Sequence, residues 1–426
     1  MKTPNLVVCD SANNAIVIPE LLMTGAANGA IRIPSEDELI PLPESALLFS
    51  LPSRIPVGFD PEGIEYVQVR QYCDAPVFAA SAFMPPGYVQ TMTSAYDEMK
   101  NAPRLPLFCY SAVGWRDGRF YAAGYLIDNQ PRHEIKDRAL SRIDKLGEAM
   151  LKKHDKNRLI RHLVSNCVHK YRCPNACNLV LGRWECPVPV SKACNAACLG
   201  CISQQPKSSC VPSTQHRLDF TPTSSEIIEY VVPHLEKARS PIASFGQGCE
   251  GEPLLEAELI EKSIRGIRRQ TRRGVINLNT NASIPEAVER LCRAGLNSMR
   301  VSMNSAQPKY YKAYYRPKNY TFEDVIESIL IAKKHKICVS INYLVFPGLT
   351  DNPTEQDTLF SMLDKTGIDM IQTRNLNIDP AWYAGTLGLS RLRGKPSGMV
   401  RWIEEVRKNF PSVKLGYFNP SRCLSE

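Results

Sequence analysis

The sequence predicts an α/β protein: a parallel sheet of strand–helix units, open or closed into a barrel, behind a separate N-terminal α+β domain. Three observations predict it. From about Glu185, short apolar runs alternate with amphipathic stretches in a regular βα rhythm. Residues 1–130 lack that rhythm and carry proline-rich turns between short apolar runs. A chain of 426 residues also exceeds one ordinary domain.

The elements follow in order. Runs such as AIVIPELL, ALLFSLPSRIPVGF and YVQVRQY in residues 1–130 predict short strands, and no catalytic motif accompanies them. Residues 131–184 read as a helix and a cysteine-rich linker. Ile135, Leu140, Ile143, Leu146, Met150 and Leu159 recur near helical spacing and predict one long helix over 131–163. Strands are expected at 187–191, 242–246, 275–279, 299–303, 338–346 and 369–374. The helices expected between them are 224–238, 255–270, 285–294, 322–336 and 355–365. The barrel is thus expected over 185–376, and 377–426 form a C-terminal extension with one helix and a strand-like VKLGYF.

Composition narrows the class. Hydrophobic residues make up 43% and charged residues 22%, which suffices to bury a core. No apolar run reaches 18 residues and the N-terminus lacks a secretory pattern, so a soluble, cytoplasmic protein without membrane contact is expected. Of fifteen cysteines, seven lie between Cys167 and Cys201. Clustering at ligand spacing, with nothing pointing outside the cell, favours metal or iron-sulfur binding over disulfides. The net charge of +9 is uneven, with basic residues concentrated in 131–172 and 265–273. Such stripes suit nucleic acid or an acidic substrate, and equally a solvated helix face.

The chemistry concentrates in Cys194-Asn-Ala-Ala-Cys198-Leu-Gly-Cys201, directly after the first predicted barrel strand. In β/α barrels, reactive groups collect on the loops that follow strands. Three thiolates at CxxxCxxC spacing can hold one face of a cubane cluster and leave its fourth iron open. A structural zinc would need a fourth ligand, for which Cys186 or Cys210 stand nearby.

With this triplet the chain resembles the radical S-adenosylmethionine superfamily over residues 185–376. Further segments line up in register. Gln247-Gly-Cys-Glu-Gly251-Glu252-Pro253 is similar to the family's GGEP, Asn279-Thr-Asn281 to its TNG, and Ser302-Met-Asn304-Ser to its fourth-strand segment. Val345-Phe-Pro-Gly348 is similar to its loose glycine motif. The resemblance implies a partial (β/α)6 TIM-like barrel, with Cys194, Cys198 and Cys201 on a [4Fe-4S] cluster whose open iron chelates S-adenosylmethionine. It implies that Gly251, Glu252 and Pro253 hold the cofactor's amino group. Asn281, Ser302, Asn304, Arg316 and Gly348 are then further cofactor-binding candidates, with Arg316 facing the carboxylate. A flavodoxin- or ferredoxin-like electron donor would start the chemistry, a 5′-deoxyadenosyl radical taking hydrogen from the substrate. No catalytic residue is assigned. Two departures stand out: Gly200 replaces the usual aromatic residue before the third cysteine, and Glu250 replaces the first glycine of GGEP.

A second group comprises Cys167, Cys173, Cys177 and Cys186, with His169 among them. It is a candidate for a second iron-sulfur cluster, a mononuclear iron or a zinc. The long front domain favours a peptide, protein or larger metabolite as substrate. An RNA-modifying enzyme and a non-catalytic, zinc-stapled binding protein are the alternatives.

Overall fold

The computed structural model describes residues 2–130, 135 and 137–420. The start of the expected long helix, at 131–134 and 136, lies outside the described residues.

The front domain is sheet-rich, and its regular structure is antiparallel. Asn5–Cys9 pairs with Ala15–Leu22, Phe78–Phe83 and Val113–Arg116 within an 11-stranded sheet. Val113–Arg116 and Arg119–Leu126 form a hairpin whose turn residues Asp117 and Gly118 both have positive φ (51° and 79°). That is the mirror-image turn an Asp-Gly pair favours, because its twist matches the strands. Among the described residues of this domain, helix is confined to the 3₁₀ turn Glu36–Glu38, closed by a Ser35/Glu38 capping box.

The linker is broken rather than continuous. Ile143–Lys153 and Arg158–His162 are separate α-helices, and Leu163–Lys170 follows as a π-helix. The break occurs because Asn157 restarts the helix: its side chain accepts from the Ile160 N–H as an N-cap. Periodicity alone does not see such a restart.

The second half is a partial barrel of parallel strands in sequential order: Glu185–Val188, Ile242–Phe245, Val275–Thr280, Ser298–Met303, Cys338–Val345, Met370–Asn375 and Lys414–Gly416. The first and seventh strands are the two edges, so the sheet does not close on itself. The first six lie within two residues of their expected starts. The seventh comes from the stretch expected to be an extension, and pairs Leu415 with Ile371. Helices cover the outer face. Ser224–Lys237 begins on a Thr223/Glu226 capping box and Phe322–Lys334 on a Thr321/Asp324 box, each giving backbone donors a side-chain partner. Apolar side chains between strands and helices, such as Val188, Phe245, Leu278, Val301 and Ile341, are fully buried.

The front domain packs onto the barrel. The Asn375 side chain at the end of the sixth strand donates to Tyr88 O (2.9 Å) and accepts from Gln90 N–H (2.8 Å). Arg54 pairs with Asp379 at 3.2 Å, both side chains almost wholly buried at 1% and 2% exposure. Asp379 is itself the N-cap of helix Pro380–Leu387. No helix among the described residues is long and apolar enough to cross a membrane.

Candidate active site

The loop after the first strand carries Cys194, Cys198 and Cys201, which line one cavity of about 660 Å³. Backbone geometry fixes this loop from two sides. On one side, the Ala197 N–H donates to Tyr315 O (3.0 Å), Leu199 N–H to Tyr314 O (2.9 Å) and Lys318 N–H to Asn195 O (2.8 Å). The C-terminal end of helix Pro308–Tyr315 thus clamps the loop. On the other side, Gly251 N–H donates to Ser191 O (2.7 Å) and Glu252 N–H to Ala193 O (2.8 Å). A Cβ on Gly251 would lie 1.8 Å from Ala193 O, so this approach admits only glycine.

The two glutamates beside Gly251 are brackets. Glu250, fully buried, accepts from the Val190, Ser191 and Gln247 N–H groups at 2.7, 2.9 and 2.6 Å. Burial pushes its carboxyl up to about 8 despite those donors. Glu250 therefore ties the end of the first strand to the loop after the second. Glu252 accepts from Leu254 N–H (3.0 Å), Asn281 N–H (2.9 Å) and the Thr280 hydroxyl, and burial lifts it to about 7. Pro253 starts the short 3₁₀ turn that Glu252 caps. Asn281 reaches the cysteine loop directly, its side chain donating to Asn195 Oδ1 at 2.8 Å.

The remaining candidates divide. Arg316 lines the cysteine cavity together with Arg104, Lys192, Arg217 and Lys318. Arg217 donates to Cys201 Sγ at 3.5 Å. Ser302 stands on the fourth strand opposite Asn342. Asn304 donates to Tyr310 O and Tyr383 OH, and its Oδ1 is buried without a hydrogen-bond partner. Gly348 is placed elsewhere: a Cβ there would meet Asn28 Cβ at 2.5 Å, so it makes room for the front domain.

Gly200 has a structural counterpart that sequence reading missed. A Cβ at Gly200 would sit 2.8 Å from the Tyr314 hydroxyl, so a buried tyrosine from another element stands against this position. The tyrosines Tyr310, Tyr311, Tyr314 and Tyr315 are all buried core residues of the clamping helix.

The three thiols suit a cluster better than one ion. Tetrahedral zinc with bonds of about 2.3 Å holds sulfurs about 3.8 Å apart. Among the described residues, Cys194, Cys198 and Cys201 do not form a group whose ligand atoms all lie within 4.8 Å. Burial raises the Cys194 and Cys198 thiols above their ordinary range, so loading them releases protons.

The family model for the Radical SAM superfamily matches residues 188–360, the span that contains this loop and its brackets. The barrel is a radical SAM domain. The matched domain indicates a radical SAM enzyme, and the superfamily implies a [4Fe-4S] cluster and S-adenosylmethionine. No curated protein matches it. Solved structures similar to it include methylornithine synthase, 13% identical with a TM-score of 0.38 over 66% of this chain and 77% of that one. A radical SAM methyltransferase from Sphaerobacter thermophilus is 16% identical, with a TM-score of 0.37 over 56% and 68%. SuiB from Streptococcus suis, bound to S-adenosylmethionine, is 12% identical, with a TM-score of 0.40 over 67% and 67%.

A second cavity of about 500 Å³ lies at the open seam of the radical SAM barrel. Its walls come from the first strand (Glu185, Pro187), the end of the chain (Tyr417 to Asn419), the linker (Cys167, Cys173) and the front domain (Phe83, Met84). Arg300 and Arg374 both line it. Burial first, and then the charge of Arg374, pull the Arg300 guanidinium down to about 9, while the Glu185 carboxylate acts the other way. Arg374 is held by Asn342 Oδ1 (3.0 Å) and lies 3.7 Å over the Tyr417 ring.

Of the second cysteine group, Cys167 and Cys173 line this cavity. Cys177 lies within helix Pro174–Val180, and Cys186 faces outward from the first strand toward Tyr230. The four are not brought together as one ligand set within 4.8 Å. His169 lies instead near Asp144 and Glu148. The basic stretches are engaged within the chain in part: Arg158 with Glu226, Arg172 with Asp144, Arg265 with Glu261, and Arg268 with the Arg273 and Gly274 carbonyls.

Proposed function

We propose that this radical SAM enzyme holds a [4Fe-4S] cluster on Cys194, Cys198 and Cys201 and modifies a peptide, protein segment or larger metabolite bound in the seam cavity. The observation that carries the reading is the triple-thiol loop, clamped between helix Pro308–Tyr315 and the Gly251-Glu252 backbone of the loop after the second strand. When bound, the cluster and S-adenosylmethionine supply a 5′-deoxyadenosyl radical that abstracts hydrogen.

The chain's own residues do the placing. Gly251 lets the loops approach, Glu252 and Asn281 hold the loop ends, and Arg316 stands where a carboxylate of the cofactor can be met. The seam cavity falls in the size range of small-ligand sites, so it admits a metabolite or one exposed part of a larger partner. Arg300 and Arg374 against the single charge of Glu185 leave a positive excess, which suits a substrate with a carboxylate or another anionic group. The exposed cations Arg104, Lys192, Arg316 and Lys318 around the cysteines suit an acidic electron donor such as a flavodoxin- or ferredoxin-like protein.

The test is anaerobic purification followed by iron and sulfide analysis and an S-adenosylmethionine cleavage assay under reductant. Iron, sulfide and 5′-deoxyadenosine are expected, and Cys198→Ala should lose cleavage and most cluster iron. A reconstituted protein that never cleaves, with unchanged iron in Cys198→Ala, would overturn the reading.

A further inference from the structure

The linker and the barrel together assemble a set of ligands that neither shows alone. His162 closes helix Arg158–His162, and Cys167 lies five residues on, inside the π-helix Leu163–Lys170. In an α-helix, residues five apart diverge around the axis. A π turn, with its i→i+5 pattern, returns them to one face. Tyr171 N–H donates to Asn166 O in that pattern at 3.1 Å. Cys249 arrives from the loop after the second barrel strand, where its carbonyl accepts from Leu218 N–H at 2.7 Å and fixes the backbone.

One ring nitrogen of His162 and the sulfurs of Cys167 and Cys249 all lie within 4.8 Å of one another. The residues are buried, at 7%, 3% and 5% exposure. His162 Nδ1 lies 3.3 Å from the Asn166 side chain, and Nε2 is buried with no hydrogen-bond partner. A buried ring nitrogen without a partner is costly unless something binds it. Two thiols and an imidazole are the donor set of thiophilic transition ions. Cys167 and Cys249 also line the seam cavity, with Cys173 on the same wall.

We propose that His162, Cys167 and Cys249 bind one transition-metal ion, zinc or ferrous iron, whose fourth position faces the seam cavity. Three protein ligands with an open position are the arrangement of sites that take an exogenous donor. A substrate sulfur, carboxylate or amine is the class of group that would fill it. The site also links the linker to the loop bearing Gly251 and Glu252, because Cys249 is two residues from Gly251.

The site does not depend on the cluster, so it is tested without it. In a Cys194/Cys198/Cys201→Ala background purified anaerobically, elemental analysis should find one zinc or iron per chain. Cys167→Ser, Cys249→Ser and His162→Gln should each reduce that content at least tenfold, whereas Cys177→Ser and Cys186→Ser should retain it. His162→Cys keeps three donors and should keep the ion, which separates ligand loss from misfolding. Cobalt(II) added to the chelator-stripped protein should give thiolate charge-transfer bands that shift when 2-mercaptoethanol is added. A metal-free background protein, retention of metal in Cys249→Ser, or a Cys167–Cys249 disulfide in the anaerobic protein would each overturn the proposal. None of these readouts uses S-adenosylmethionine cleavage, so failure here leaves the radical reading separately testable.

Discussion

At Gly251 a single missing methyl group decides whether two loops can lie side by side. The Ala193 carbonyl occupies the space where a Cβ would project, and Ala193 immediately precedes Cys194. Gly251→Ala should therefore push the cysteine loop outward. Expected are a severalfold drop in cluster iron per chain and a loss of about 1–3 kcal/mol in denaturant unfolding, from strain and two disturbed backbone bonds. Unchanged iron content and stability would show that the loop yields freely. The residue scale is also where the sequence was least complete. Glu250 looked like a charge intruding on a glycine motif, because its three backbone donors come from Gln247 and from Val190 and Ser191, about sixty positions upstream. Gly200 looked like a missing aromatic ring, because Tyr314 reaches it from a helix more than one hundred positions on. Cys249 went unread because it lies about eighty positions from Cys167, and His162 because its charged helical stretch reads as a solvated face although the residue is buried.

Elements were far more legible than partners. The barrel strands and helices were readable because their outward faces are apolar and their ends carry local chemistry, such as Thr223 with Glu226 and Gly295 and Gly367 at helix C-termini. The first strand was placed two residues late since it opens on Glu185, a buried carboxylate facing Arg300 inside a polar barrel. Helix Ser224–Lys237 carries a pH dependence of its own. His234 is buried with Nε2 3.4 Å from Trp184 O, and burial pushes its imidazole down to about 4 from an ordinary value of 6.5. Between those values the unfolded chain binds a proton that the folded chain refuses, so stability rises with pH across that window and is lost on acidification through it. About 1–3 kcal/mol should disappear between pH 6.5 and 4 through this residue. His234→Gln should flatten that part of the stability–pH curve measured by chemical denaturation, and an unchanged slope would assign the acid sensitivity elsewhere.

Across the whole molecule, buried polar contacts join the two halves beside apolar ones, since Val89, Leu107 and Ile127 of the front domain belong to the barrel's hydrophobic core. Arg54 and Asp379 are almost fully buried, and Asp379 also accepts from Leu105 N–H and caps helix Pro380–Leu387. Removing one partner of a buried pair strands the other charge, so Arg54→Met should cost about 3–5 kcal/mol. Differential unfolding should then show the front domain releasing before the barrel, whereas one cooperative transition at the parental midpoint would contradict this. Composition and turn signals divided the chain near residue 130. They could not show that the first domain becomes a wall of the cavity, since that depends on pairings hundreds of residues apart, such as Gln90 with Asn375.

The unclosed sheet has a consequence for where the barrel can yield. The seam is bounded by the first strand and by Lys414–Gly416, and its wall is completed by Tyr417, Phe418 and Asn419. Glu185–Val188 is laddered only to Ile242–Phe245, and Lys414–Gly416 only to Met370–Asn375. A strand held by one neighbour costs fewer ladder bonds to displace than one held by two. The wall beside the seam cavity is therefore the one that can part while the interior ladders stay whole.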